Sequence, residues 1–297
     1  MRILVTGANG FIGGWLCKEL IKRHEVIGLT RGGTGYLKSH GIEDSVEILK
    51  GDLTELDTKI EADYCIHLAG MTDANECINN PLKAIRENVE GTNNLARICK
   101  EHGVRGMILA SSTKVYGETD RDIADEESAT NPTNLYGMTK LYSEWIARGM
   151  GNSIILRLAN VYGPLDFNME RIIPNTIQNI LGGRKPVIFG DGSTMRTMVN
   201  VKDVLPFFLL SLGMLERGES GTFNVAAEGP FSIKEIIEKI SRIMEWKGGI
   251  EFRGDEKQAA SDKKVSIEKA RRTGWEPKIS IEKGLIETVN SYNGLFG

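Results

Sequence analysis

Three residue types in this chain are suited to moving a proton on and off a substrate oxygen: Ser112, Tyr136 and Lys140. Tyr136 and Lys140 stand four apart in NLYGMTK (134–140), and positions i and i+4 of a helix share one face. A phenol ordinarily has a pKa of about 10. A neighbouring ammonium stabilises the phenolate, so Tyr136 can act as general acid or base near neutral pH. Ser112, in ASSTKVYG (110–117), would hydrogen-bond the same substrate oxygen and help transfer its proton. A Tyr-x-x-x-Lys pair alone is more often a surface pair. The order of glycine turn, serine-bearing strand and then Tyr-x-x-x-Lys is far more specific.

The glycine turn is TGANGFIG (6–13), directly behind the apolar run Ile3, Leu4 and Val5. Strand, glycine turn and helix in that order read as a dinucleotide site. Gly7 permits a tight turn, Gly10 lets the backbone approach a pyrophosphate, and Gly13 lets the helix pack closely. The helix N-terminus then offers unpaired N–H groups and a positive dipole end to the phosphates. The spacing is Gly-x-x-Gly-x-x-Gly rather than the commoner Gly-x-Gly-x-x-Gly. A bound nicotinamide would add its positive charge to that of Lys140 beside Tyr136. At the end of the second strand, where an acid usually meets the ribose hydroxyls of NAD, stand Thr30 and Arg31. A hydroxyl and a guanidinium suit a 2′-phosphate and tilt the choice toward NADP; alternatively Arg31 is a solvated loop residue and NAD binds without the acid. Asp52, in GDL (51–53), either accepts from the adenine amine or serves its own turn.

Those residues need a scaffold. Apolar, β-rich runs at 3–6, 26–30, 46–49, 64–68, 106–111 and 154–158 alternate with helical patterns at 13–22, 81–102 and 136–148. The alternation predicts an α/β fold, a Rossmann-like doubly wound parallel sheet with helices on both faces. Further on, Ser232 and Glu235 form a capping box for a helix over 232–246 that buries Ile233, Ile236, Ile237 and Ile240. Loops such as GGRKPVIFGDGS (182–193) surround it. The expected division is a cofactor-binding domain of residues 1–160 with part of 197–227, and a smaller C-terminal α/β substrate lobe of 161–196 and 228–297.

Composition bounds the partners. The 297 residues carry a net charge of −3 without a long basic block, which argues against nucleic acid. No apolar stretch reaches membrane-spanning length, and the early apolar run is broken by Gly7 and Gly10 before it could form a signal peptide. A cytoplasmic location is expected. Cys17, Cys65, Cys77 and Cys99 lie far apart, as do the four histidines, so no metal site is expected and the thiols read as reduced structural residues.

The chain resembles the extended short-chain dehydrogenases/reductases, specifically the NAD(P)-dependent nucleotide-sugar epimerase/dehydratase group. The resemblance runs through TGANGFIG (6–13), GDL (51–53), HLAG (67–70), ENVEGTNNL (87–95), SSTKVYG (111–117) and YGMTK (136–140). It continues through RLANVYGP (157–164), FGDGSTMRTMVNVKDV (189–204) and KARRTGWEP (269–277). It implies that Ser112, Tyr136 and Lys140 are the catalytic set. By the same resemblance Gly7, Asn9, Gly10, Phe11, Ile12, Gly13, Thr30, Arg31, Asp52, Leu53, Leu68, Ala69, Gly70 and Asn88 line the cofactor, together with Tyr136 and Lys140. Asn88 is equally open to a structural reading. Asn160 and Arg196 would bind the diphosphate of a nucleoside-diphosphate sugar, with Thr72, Ser112 and Thr113 also on the substrate. Arg253, in FRGD (252–255), resembles a further phosphate-binding arginine, although the family usually places one more residue before that glycine.

The resemblance implies hydride transfer at sugar carbon 4 through a 4-keto intermediate. The family's 4,6-dehydratases carry acids just after the catalytic hydroxyl; Thr113 and Lys114 stand here, which argues against that reaction. A UDP-sugar 4-epimerase is the reading chosen, with an NADPH-dependent reductase of nucleotide 4-keto-6-deoxy sugars as the alternative and a non-catalytic NAD(P) sensor behind both. Sugar specificity would lie around 71–75, Thr113 and 167–171. The resemblance also implies a homodimer pairing helices 81–102 and 136–148, with Gly91, Asn94 and Arg97 expected on the exposed face.

Overall fold

The computed structural model describes residues 1–117, 122–227, 229–254 and 261–293. Its centre is a seven-stranded sheet, parallel throughout. In spatial order the strands are Gly221–Val225, Ser153–Leu158, Met107–Ser112, Tyr64–His67, Arg2–Thr6, Glu25–Thr30 and Glu47–Lys50. Six coincide with the apolar runs expected from the sequence. The seventh, GTFNV, is too mixed in composition to announce itself, and pairs at the edge with Ser153–Leu158.

Every residue of Met107–Ser112 and Ser153–Leu158 is buried, as strands covered on both faces must be. One face is covered by the helices Phe11–Leu20 and Val201–Glu216, through Leu16, Leu20, Val204, Phe207 and Phe208. The other is covered by Gly91–Glu101 and Leu135–Arg148, through Leu95, Ile98, Cys99 and Ala147. Chain order reverses between Arg2–Thr6 and Tyr64–His67. Such a switch point opens a crevice at the carboxyl ends of the strands. Gly7, Leu68 and Ser112 all sit at those ends.

A second core joins Ile173, Ile177 and Ile180 to Ile236, Ile240, Ile281 and Leu285. These come from the helices Ile172–Leu181, Ile233–Ile243 and Ile281–Asn293. The capping box on Ile233–Ile243 is present: the Glu235 amide donates to Ser232 Oγ at 3.1 Å and the Ser232 amide to Glu235 Oε2 at 2.7 Å. Ile236, Ile237 and Ile240 are buried, whereas Ile233 in the first turn is only half-buried. The helices over 172–181, 201–216 and 281–293 had no counterpart in the sequence reading. Pro206 lies inside the second and interrupts its pattern.

The expected single helix over 81–102 is three pieces. Pro81–Ile85 and Gly91–Glu101 are α-helical, and Arg86–Glu90 between them is one π turn. Gly91 was expected on an exposed face and is buried, because the widened turn swings it against Leu53; a Cβ there would stand 3.2 Å from Leu53 Cβ. Asn94 is tied inward to the carbonyls of Leu53 and Leu56 at 2.8 Å each, and Arg97 is exposed and paired with Glu101.

The sheet's first turn is tight. Gly7 has φ +70°, and a Cβ on Gly13 would stand 2.1 Å from the Gly7 carbonyl oxygen. Backbone cannot yield there as a flexible side chain would. Gly13→Ala is expected to destabilise the cofactor-free protein by about 2–3 kcal/mol in denaturant unfolding, while Gly35→Ala, where a Cβ meets nothing within 4 Å, leaves stability nearly unchanged.

Candidate active site

Around the crevice the chain brings together most of the residues expected there. Gly10 caps the helix Phe11–Leu20 without a side-chain bond, leaving its N-terminal amides toward the turn. Phe11 is buried and Ile12 half-buried against the core, while Asn9 Oδ1 accepts from the Tyr36 amide at 2.8 Å. Across the turn the Ala69 amide donates to Thr6 Oγ1 at 3.2 Å, with Leu68 and Ala69 half-buried. Gly70 has φ +145°, and a Cβ on it would stand 2.6 Å from Asn88 Oδ1. A narrow glycine-lined trough with exposed amides fits a dinucleotide phosphate backbone.

Thr30 is buried and Arg31 is exposed, its guanidinium 2.6 Å from Glu87 Oε1. Asp52 Oδ1 accepts from the amide and hydroxyl of Thr54 at 2.9 and 2.8 Å, so it serves its own turn, and that amide bond holds its pKa down. Leu53 beside it is buried in the core.

The helix Leu135–Arg148 starts on Asn134, whose side chain accepts from the Gly137 amide. That start places Tyr136 and Lys140 together, with the Lys140 Nζ 6.0 Å from the Tyr136 ring centre. Lys140 is buried and donates to the Ala110 carbonyl at 3.0 Å; burial pulls its pKa down to about 8. Burial pushes the Tyr136 phenol up to about 12, opposed by a hydrogen bond with Ser112 and by the charge of Arg171. Ser112, at the end of its strand, is buried and also accepts from the Lys114 amide at 3.2 Å.

Asn88 lies on the π turn and is almost fully enclosed. Its side chain accepts from the Met71 amide at 2.7 Å and donates to the Met71 carbonyl and Thr139 Oγ1, each at 2.9 Å. Its carbonyl accepts from Thr92 and Ser143. Thr92 continues to His67 Nε2, and His67 Nδ1 meets Thr6 Oγ1 at 2.7 Å. Burial, and then the Lys140 charge, keep His67 neutral with a pKa of about 3.

The expected substrate residues divide. Asn160 and Arg196 meet at Asp262, a buried carboxylate that sequence reading did not single out. Asp262 accepts from Asn160 Nδ2 at 2.5 Å and from the Thr197 amide at 3.1 Å, pairs with Lys114, and stands 3.8 Å from Arg196. Thr113 is half-buried in the turn after Ser112, and Thr72 is exposed. Arg253 is exposed on the strand Glu251–Arg253 and paired with Glu251 at 2.8 Å; neither Asn160 nor Arg196 is among its described partners. Asp255 of that motif lies outside the described residues.

Residues 3–226 match the model of the NAD dependent epimerase/dehydratase family. The chain belongs to this family. Among its curated relatives, UDP-glucuronic acid decarboxylase 1 of Arabidopsis thaliana is 30% identical over 98% of this chain and 70% of the relative. The dTDP-glucose 4,6-dehydratase of Mycobacterium tuberculosis is 28% identical over 98% of this chain and 93% of its own. Among solved structures, the UDP-N-acetylglucosamine 4-epimerase of Methanobrevibacter ruminantium M1 superposes with a TM-score of 0.89 at 27% identity, covering 99% of this chain and 98% of that one. Family membership makes this chain a relative of NAD-dependent nucleotide-sugar epimerases, dehydratases and decarboxylases. Among the described residues no His, Cys, Asp and Glu cluster is placed to hold a metal, and no helix is long and apolar enough to cross a membrane.

The folded protein holds Lys140 at about 8 against an ordinary 10.5, so between those values the unfolded chain binds more protons. Stability contributed by this group therefore rises with pH across that window. Compared with Lys140→Met, the wild type is expected to gain up to about 2 kcal/mol from pH 7 to 9.5 in urea titrations.

Proposed function

We propose that the protein is an NAD-dependent nucleotide-sugar 4-epimerase of the UDP-sugar type, active at sugar carbon 4 through a 4-keto intermediate. The observation that carries this reading is the Tyr136 phenol, hydrogen-bonded to Ser112 with the Lys140 ammonium beside it. Tyr136 takes the proton of the 4-hydroxyl and returns it after the keto sugar has presented its other face. Ser112 holds the same oxygen, and Lys140 supplies positive charge toward the phenolate. The bound nicotinamide supplies the hydride acceptor and donor. The trough formed by Gly7, Asn9, Gly10, Phe11, Ile12, Gly13, Leu68, Ala69 and Gly70 would hold the cofactor, flanked by Thr30, Arg31, Asp52 and Leu53. Asn88 positions Met71 and the Tyr136 helix rather than meeting substrate.

Two observations favour this reaction over its neighbours. No carboxylate stands at 113 or 114; Asp262, the described acid that pairs with Lys114, is also engaged by Asn160 and the Thr197 amide. Arg31, the residue that leaned toward a 2′-phosphate and so toward a reductase, has Glu87 as its ion partner, which supports NAD. Asn160 and Arg196 would take the diphosphate, with Thr72, Thr113 and Arg253 as flanking substrate contacts. We assign residues 1–160 with part of 197–227 to the cofactor body and 161–196 with 228–297 to the substrate lobe. Four buried free cysteines support a reducing, cytoplasmic setting.

A homodimer is part of the proposal, on a face other than the one around 91–97. Ile78, Leu82 and Ile85 are exposed on the helices Ala74–Asn79 and Pro81–Ile85, and Met138, Tyr142 and Trp145 on the neighbouring Leu135–Arg148. Leu82 is 82% and Trp145 67% exposed, an apolar surface that a second copy would cover.

Denaturing the purified protein should release NAD rather than NADP. Tyr136→Phe should lower kcat by about 10²–10⁴-fold, the range for a lost general base, with NAD still bound; full turnover would remove Tyr136 from the mechanism. The double variant Leu82→Glu, Trp145→Glu should run as a monomer in sedimentation while the wild type runs as a dimer.

A further inference from the structure

Arg171 lies against the glycine turn. Its guanidinium lies 5.7 Å from the centre of the Phe11 ring, and its positive charge reaches the Tyr136 phenol. It belongs to a loop braced at every turn. Leu165 has φ +65°, strained for a side chain that large, and its amide donates to Ser291 Oγ. Phe167 packs between Tyr36 and Tyr292, with ring centres 5.9 and 5.6 Å away. Tyr292 donates its hydroxyl to the Asp166 carbonyl. The Arg171 amide donates to the Asn168 carbonyl at 3.0 Å, fixing the residue at the start of the helix Ile172–Leu181.

At the centre of the brace is Asp166, almost fully buried, whose Oδ2 accepts from one terminal nitrogen of Arg171 at 3.0 Å. A guanidinium carries five N–H donors in a planar fork. Among the described residues Asp166 engages one of its terminal nitrogens, and the Arg171 side chain remains 35% exposed. A buried carboxylate therefore aims the fork, and the rest of it is left for an anion in the crevice. The second cation near Ser112, Lys114, is already joined to Asp262.

We propose that Arg171 is a specificity-determining residue that binds a carboxylate on the sugar ring, making the substrate class a nucleoside-diphosphate hexuronic acid. This rests on the 4-epimerase reading. Tyr136 and Ser112 meet the oxygen on carbon 4, and carbon 6 hangs from the ring atom next to it, so a fork beside the phenol meets the carbon 6 substituent. A carboxylate accepts two parallel bonds from a guanidinium, which a hydroxymethyl group cannot match. No carboxylate at 113 or 114 opposes it. A relative 30% identical carries UDP-glucuronic acid in its name, which agrees with the charge of the site. The carboxylate takes no part in the transfer and is retained in the product.

The test compares UDP-glucuronate with UDP-glucose on the NAD-loaded protein. Wild-type kcat/KM is expected to be at least about tenfold higher for the glucuronate, and Arg171→Gln to raise its KM by about 10–100-fold, as for one lost charge-assisted pair. KM for UDP-glucose and the Kd of NAD should stay within about twofold, since neither uses the fork. Because Arg171→Gln strands the buried Asp166, the double variant Asp166→Asn, Arg171→Gln is measured beside it and should show the same selective loss. Equal loss for both sugars, or weakened NAD binding, would overturn the assignment. If neither sugar is epimerised, the 4-epimerase reading fails, and calorimetric binding decides this one separately. A preference for UDP-glucuronate over UDP-glucose that vanishes in both variants supports it, and no preference sinks it.

Discussion

The site is built around the enclosure of one ammonium. Burying Lys140 takes its charge out of water, which costs free energy, and burial accordingly pulls its pKa down to about 8. The partial recovery is one hydrogen bond to the Ala110 carbonyl, near the end of the strand that carries Ser112. With the Ser111–Glu144 bond, it ties the helix bearing Tyr136 to the strand bearing Ser112. Phenol and hydroxyl are thus held in register by the residue whose charge the proposed chemistry would use. Such a cation survives only on a scaffold stiff enough to prevent it from escaping to solvent.

Stiffness comes from two buried polar keystones on the same helix. Glu144, fully enclosed, accepts from Ser111 at 2.6 Å and from both forks of Arg157 at 2.9–3.0 Å, locking the helix to two adjacent strands. On the same helix Thr139 and Ser143 meet Asn88, whose π turn turns its carbonyl and side chain toward them. An α-helical path through Arg86–Glu90 would rotate Asn88 relative to Gly91. The irregular turn is the price of presenting one residue to Met71, Thr92, Thr139 and Ser143 at once.

What could be read in the sequence is what depends on local pattern. Six of the strands are apolar runs, Gly13 is forced because a Cβ there would stand 2.1 Å from the Gly7 carbonyl oxygen, and Ser232 with Glu235 is a local capping box. Tyr136 and Lys140 follow from helical spacing. What escaped depends on contacts distant in sequence. Nothing around Asp262 in SDKK marks it as the partner of Asn160, 102 positions away. The π turn has no residue signature, so Gly91 was placed on the wrong face. Pro206 disguised the helix Val201–Glu216, and the short edge strand Gly221–Val225 forms only because Ser153–Leu158 offers it an edge.

Under the proposed function, the distribution of charge would let the crevice discriminate between the ends of one substrate. Its cations are not scattered. Lys140 apart, three are held by carboxylates: Arg171 by Asp166, and Lys114 and Arg196 together by Asp262 beside Asn160. A cation paired on one side keeps its direction, because the carboxylate removes the rotamer freedom that a long side chain otherwise loses on binding. The two carboxylates are themselves fixed by backbone amides, Asp166 by Asn168 and Asp262 by Thr197, so the aim is set by the fold rather than by the ligand. On the proposed reading, two aimed positive centres, one held by Asp166 and one by Asp262 beside Asn160, would suit a molecule with negative charge at both ends. A neutral sugar on a diphosphate satisfies only one of them.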